Sequence, residues 1–282
     1  MSRLESARRL MRCWFTSIPF FVVLGLGLGV AISIPVIPKP SVATITISGA
    51  IYEQTYVNDI LDMLRYAKTD GNIKAVVLQI DSPGGYASLV ESIYLDVLQL
   101  RQQKPVVTSI GGVGASGGYY IAVASNFIYA EPSSLVGSIG ARCILPIPEK
   151  LEEDIITTGP FKATGGSRTK AIGGLETLKQ EFVNAVTSQR GDRLKISVEE
   201  ISRADIYSGS QCLRYGLIDD IGTSTAAIQK AASLAGIRNY EVVELYIWEP
   251  IIIWFSSSSD SEELKSQTST MPIYYYLYIE SE

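Results

Sequence analysis

The chain has 282 residues, 46% of them hydrophobic, with 24 glycines and a formal net charge of −5. That length and composition suit a globular α/β protein of one large or two small domains. The negative balance argues against a nucleic-acid surface, which needs clustered positive charge. Not one residue is histidine, which removes a Ser-His-Asp triad and histidine-ligated zinc. Cys13, Cys143 and Cys212 have no CxxC spacing to take histidine's place, so neither a metal nor a cofactor is expected.

In chain order, Arg3, Arg8, Arg9 and Arg12 precede residues 14–37, which carry no charge. At the helical rise that stretch is about 36 Å long, enough to cross a hydrocarbon core of about 30 Å with tilt. Residues 1–13 are therefore expected in the cytoplasm and 14–37 as a single transmembrane anchor, with the body outside. A cleaved signal peptide has the same basic start, with Ala31-Ile32-Ser33 as its cleavage site, but a shorter apolar core. Residues 38–246 are expected to form the catalytic domain and 247–282 a C-terminal extension.

Strands are predicted at Ala43–Gly49 and Lys74–Ile80, with an amphipathic helix at Val57–Ala67 between them. A helix at Ala87–Leu100, a buried strand at Pro105–Ile110 and a helix at Ser116–Ala124 follow. Further helices are predicted at Leu175–Arg190, Val198–Arg203, Gly209–Tyr215 and Thr223–Ala235, and a late strand at Tyr240–Leu245. Successive crossovers of this kind imply an α/β fold with a mostly parallel sheet.

The string GVGASGGYYIA at 112–122 presents Ser116 between small residues at the start of a helix. Such a backbone can turn sharply, approach a substrate closely and aim free N–H groups at an oxyanion. The same run would also let a helix pack closely on a sheet. If Ser116 is a nucleophile, its base has to be a lysine or a carboxylate. Gly84 and Gly85, after Ile80-Asp81-Ser82-Pro83, stand beyond the carboxyl end of a predicted strand, where ligands of open α/β sheets gather. They form either a second set of oxyanion donors with Gly117 or a simple Pro-Gly turn.

IDSPGG at 80–85, KPVV at 104–107, GASGGYYIA at 114–122 and VGSIG at 136–140 occur together, in an order and spacing that resemble the signal peptide peptidase A family. The resemblance covers roughly residues 42–245. It implies a fold like Clp protease and crotonase, with repeated ββα units, and a membrane-bound serine protease with a Ser-Lys dyad. By that resemblance Ser116 is the nucleophile, Lys162 in Thr158-Gly159-Pro160-Phe161-Lys162 the base, and Ser138 the serine that hydrogen-bonds the base. Lys170 is the rival base. Ala163 stands where the family commonly has aspartate. A base lysine has to be desolvated, since an exposed ammonium is a poor base at neutral pH; Pro160 and Phe161 are the apolar neighbours expected to do this for Lys162. Tyr119 and Tyr120 read equally well as helix packing.

The implied reaction is hydrolysis of signal peptides left in the membrane, by a homo-oligomer whose anchor holds it at the bilayer. Three other readings share these residues: a protease for one membrane protein, a crotonase-type enzyme acting on acyl-thioesters, and a scaffold that has kept the fold. At the C-terminus, Trp248–Phe255 is apolar but too short to span a membrane. Ser256–Thr270 reads as a polar linker. Ile273–Ile279 has strong β character, and reads either as an added strand docked on a neighbouring subunit or in the substrate groove, or as a frayed terminus.

Overall fold

The computed structural model describes residues 18–29, 39–144, 158, 161–162, 165–246 and the strand at 273–277. Two units are distinguished, Met1–Lys39 and Pro40–Glu282. In the first, residues 18–29 are helical and exposed. The rest of the 14–37 stretch lies outside the described residues, as do Cys13, Trp248–Phe255 and Ser256–Thr270. Among the described residues no helix is long and apolar enough to cross a membrane.

The second unit is built on an eight-stranded sheet. Its main path runs β10 (Glu241–Glu244), β1 (Ser41–Ser48), β2 (Ile73–Ser82), β4 (Val106–Ala115), β5 (Phe127–Ala130) and β9 (Asp220–Ile221). All of these pairings are parallel. A branch adds β6 (Leu135–Gly137), parallel to β4, and β8 (Ile206–Ser208), antiparallel to β6. Gly84–Tyr86 forms β3, Arg142–Ile144 forms β7 and Ile273–Leu277 forms β11, and these three make a separate sheet.

Because helices cover both faces of the main sheet, its central strands are apolar almost throughout rather than alternating. Along β2, Val76, Leu78 and Ile80 enter the main core, whereas Ala75 and Val77 enter a smaller one on the other face. Helix α1 (Gln54–Thr69) buries Val57, Ile60, Leu64 and Ala67, residues spaced to lie on one face. Helix α2 (Ala87–Arg101) buries seven residues into the main core, including Ile93, Val97 and Leu100. Gly117–Ala122 forms α3, Arg168–Arg190 α4, Val198–Ile201 α5 and Gly209–Tyr215 α6. Helix α7 (Ser224–Leu234) supplies Ala227, Ala231 and Ala232 to the smaller core, where short side chains let it lie close to Val77 and Val107.

Two predicted boundaries move by five residues or more. The strand expected to stop at Ile110 continues to Ala115. Its register against β2 shifts between Ile80 and Ser82, so that Ile80 faces Ile110 but Ser82 faces Gly114. The glycines of 111–114 are a bulge rather than a loop, and the Asp81 carboxylate accepts the Val113 N–H at 2.8 Å to hold it. The helix expected from Leu175 begins at Arg168, because the Ser167 hydroxyl accepts the Lys170 N–H and caps it.

The end of α4 is anchored by charge. The Arg190 guanidinium donates to both carboxylate oxygens of Asp219 at 2.9 Å, and its Nε donates to the Gly216 carbonyl at 2.7 Å. Both side chains of the pair are almost fully buried. Asp219 also accepts the Ile128 N–H at 2.8 Å, which ties the helix to β5. Removing one partner strands the other's charge. Asp219→Ala is therefore expected to cost about 3–5 kcal/mol, read as a lowered urea midpoint, and an apolar replacement of both partners to recover much of it. A loss of under about 1 kcal/mol would refute the burial of this pair.

Candidate active site

Ser116 stands between β4 and α3, and it is 1% exposed. Its φ of 50° and ψ of −119° lie where a residue with a Cβ is rarely found. Strain of this kind costs on the order of 1–3 kcal/mol, and it persists when the surroundings determine the turn. Here they do. The Ser116 N–H donates to the Gly137 carbonyl at 2.8 Å, and its carbonyl accepts the Tyr120 N–H at 2.8 Å.

Two loops converge on this turn. In β6, Gly137 faces Ala115, so Ser138, the next residue, leaves the sheet beside Ser116. Ser138 is half-buried with φ 52°, and its N–H donates to the Asp205 carbonyl at 2.9 Å. The Ser-Pro-Gly-Gly loop arrives from the other side. A Cβ on Gly118 would lie 2.4 Å from the Ser82 carbonyl oxygen, so the two loops touch at a point that only glycine allows. Ser116, Gly117, the Gly84–Gly85 pair and Ser138 are thus brought to one end of the sheet, beyond the carboxyl ends of β2, β4 and β6.

The two loop glycines are not equivalent. Gly84 has φ 96°, and its N–H donates to the Ser82 hydroxyl at 3.1 Å. Its carbonyl accepts the Ile51 N–H at 2.9 Å, and the Ile51 carbonyl accepts the Tyr86 N–H at 3.0 Å. Since N–H and C=O groups alternate between the edges of a strand, Gly85 presents its own pair to the opposite edge. A Cβ there would fall 2.0 Å from the Ile51 carbonyl oxygen.

The tyrosines after the glycines pack the helix. Tyr119 is fully buried, and its hydroxyl donates to the Leu217 carbonyl at 2.6 Å. Desolvation, its largest influence, pushes that phenol far above its ordinary pKa and keeps it a donor. Tyr120 packs against Tyr94 and Phe182, with ring centroids 4.6 and 4.7 Å away.

The lysines are placed differently from the loops. Lys162 is exposed in a turn, and Phe161, expected to shield it, is itself 51% exposed. Pro160 and Ala163 lie outside the described residues. Lys170 is exposed in the first turn of α4. Among the described residues no hydrogen bond or ion pair joins either lysine side chain to the Ser116 loops.

Sequence reasoning missed the residues that hold the loops. The Ser82 hydroxyl is buried, donates to the Gly49 carbonyl at 2.6 Å and accepts the Gly84 N–H. Its signal was present: a hydroxyl directly before Pro-Gly-Gly has turn N–H groups within reach. Ile51 is recruited through its backbone and had no signal. Ser82→Ala leaves the buried Gly84 N–H without its partner and the Gly49 carbonyl without its donor, and is expected to cost about 1–3 kcal/mol. A urea midpoint shift at constant m measures it, and an unchanged midpoint would contradict the loop-holding role.

Comparison with known proteins gives the family. The family model described as Peptidase family S49 matches residues 99–238, and that described as Clp protease matches residues 41–136. Protease 4 of Salmonella typhi is 31% identical over 235 residues, which cover 76% of this chain and 37% of that protein. The chain thus spans little more than a third of the length of that relative. The protein named "Putative protease slr0021" of Synechocystis sp. is 31% identical over 213 residues, covering 71% of this chain and 76% of that protein. Among solved structures, a mutant of the 1510-N membrane-bound stomatin-specific protease aligns with a TM-score of 0.50 at 19% identity, over 75% of this chain and 100% of its own. That likeness concerns the fold alone. The chain belongs to peptidase family S49.

Proposed function

We propose that this protein is a membrane-anchored serine endopeptidase with a Ser116-Lys162 dyad, acting on signal peptides that remain in the membrane after secretion. The observation that carries the reading is the strained, buried Ser116 turn at the junction of the Gly84–Gly85 and Ser138 loops. A backbone held in that conformation is the kind of strain found at active sites. Family membership supports the class of reaction, and the absence of histidine leaves lysine as the natural base.

In this reading the Ser116 Oγ attacks the peptide carbonyl while the Lys162 amine takes its proton and passes it to the leaving amine. Water then hydrolyses the acyl-enzyme. The Gly117 N–H and the Gly84–Gly85 segment receive the oxyanion. Gly85 is the preferred donor because the Gly84 N–H is already given to Ser82. Each such donor is worth about 100-fold or more in rate. Ser138 orients the lysine.

Lys162 is exposed in the single chain, so its desolvation has to be supplied by whatever covers residues 161–162 in the working enzyme. A bound peptide or a second copy of the chain meets that need, which favours a homo-oligomer. Residues 14–37 would anchor each copy in the bilayer, with the N-terminus cytoplasmic and the catalytic unit outside.

The test is cleavage of a labelled signal peptide by detergent-purified protein, with Ser116→Ala, Lys162→Ala and Lys170→Ala alongside. Loss of at least about 1000-fold in the first two, with Lys170→Ala active, is the expected pattern. Loss in Lys170→Ala with Lys162→Ala active would transfer the base to α4, and equal rates in all four would remove the protease assignment.

A further inference from the structure

Helices α2 and α4 part to leave a groove of about 430 Å³, which Tyr120 of α3 also lines. Helix α2 contributes Glu91, Tyr94 and Leu95, at the i, i+3 and i+4 spacing of one helix face. Helix α4 contributes Glu181 and Ala185, again a turn apart. The buried rings of Tyr94 and Tyr120, 7% and 6% exposed, form the floor. None of these residues belongs to the Gly84–Gly85 or Ser138 loops, yet the groove lies close behind Ser116, whose carbonyl accepts the Tyr120 N–H at 2.8 Å.

The lining combines negative charge with aromatic and aliphatic surface. Of the nine residues around the groove, two are glutamates and none is lysine or arginine. Arg101, further along α2, has its guanidinium given to the Gln189 Oε1 at 2.7 Å and to the Ser125 carbonyl at 3.2 Å. One carboxylate comes from each helix, and both act on the same phenol: desolvation first, then Glu91, Tyr94 and Glu181, push the Tyr120 pKa up. The field of two carboxylates that disfavours a phenolate favours a cation. The tyrosine rings, with centroids 4.6 Å apart and tilted by 45°, offer π surface to an ammonium. Leu95, 55% exposed, adds an aliphatic wall. A metal ion suits the lining less well, because hard cations take about six or more oxygen ligands and among the described residues no three His, Cys, Asp or Glu side chains gather to hold one.

We propose that the α2–α4 groove binds an aliphatic diamine, with one ammonium on Glu91, the other on Glu181, and the alkyl chain over Tyr94, Tyr120 and Leu95. The site does not depend on Ser116 being a nucleophile. Its two carboxylates stand on separate helices, so a ligand with two charges engages both walls where a single charge engages one. Glu91 is half-buried and Glu181 exposed, so added salt weakens the binding.

The experiment is a calorimetric titration of the full chain in detergent at low ionic strength, with putrescine and cadaverine as probes. Butylamine, with one charge, and butanediol, with none, are the controls. At least one diamine is expected to bind saturably and about tenfold or more tightly than butylamine, and butanediol is expected not to bind. Glu91→Gln and Glu181→Gln are each expected to weaken the diamine about tenfold. Glu176→Gln, an exposed change on α4 outside the groove, is expected to leave its affinity unchanged. A urea transition for each variant separates lost binding from lost folding, and the two groove substitutions serve as independent tests. No saturable binding of either diamine, butylamine binding as tightly as the diamines, or equal weakening by all three substitutions overturns the proposal.

Discussion

The site depends on a close approach of two backbones. The Ser82 carbonyl lies where a Cβ of residue 118 would be, and the Ile51 carbonyl where a Cβ of residue 85 would be. These contacts set the spacing between the Ser-Pro-Gly-Gly loop and the turn at Ser116, and no side-chain rearrangement can relieve a clash with a main-chain oxygen. Everything that faces Ser116 inherits its position from them. The strain at Ser116 is sustained in the same way, because its N–H and carbonyl are both committed, to Gly137 and Tyr120.

Around that contact the fold works as a clamp. Strands β2 and β4 deliver the two loops side by side, and the register shift after Ile80 lets β4 run further than its partner before turning. Asp81 holds the bulge and Ser82 holds the loop, so two adjacent residues at the end of β2 serve both sides of the site. Tyr119 then locks α3 to Leu217, and Tyr120 locks it to α2 and α4 through Tyr94 and Phe182. A helix of six residues has little stability of its own, and here it is fixed by these two rings.

Much of this was legible in the sequence wherever local chemistry decides the structure. The apolar run at Lys74–Ile80 and the face of α1 follow from periodicity, and α6 spans the residues expected, Gly209–Tyr215, because Ser208 and Gln211 form a capping box. Ser116, Gly84, Gly85 and Gly117 were found through small residues in unusual clusters. What was not legible is what tertiary pairing creates. The glycines at 111–114 have no strand propensity, and they extend β4 only because Asp81 and β6 hold them. Strands as short as β6 to β9 exist through their partners. The environment of a base at Lys162 was not readable either, since burial at that position requires something beyond the residues adjacent to it in sequence.

The position of β10 has a consequence for how the chain is made. Residues 241–244 close the sheet against β1, the strand that is synthesised first in the unit and whose Val42, Ala43, Ile45 and Ile47 are fully buried. At the ribosome that first strand is complete long before its outer neighbour exists. Its free edge has to wait, protected only by β2, until nearly the whole unit has emerged. Vectorial synthesis therefore leaves one apolar border open to pairing with other nascent chains. The glutamates at both ends of Glu-Val-Val-Glu leave charge on that border once it is shut.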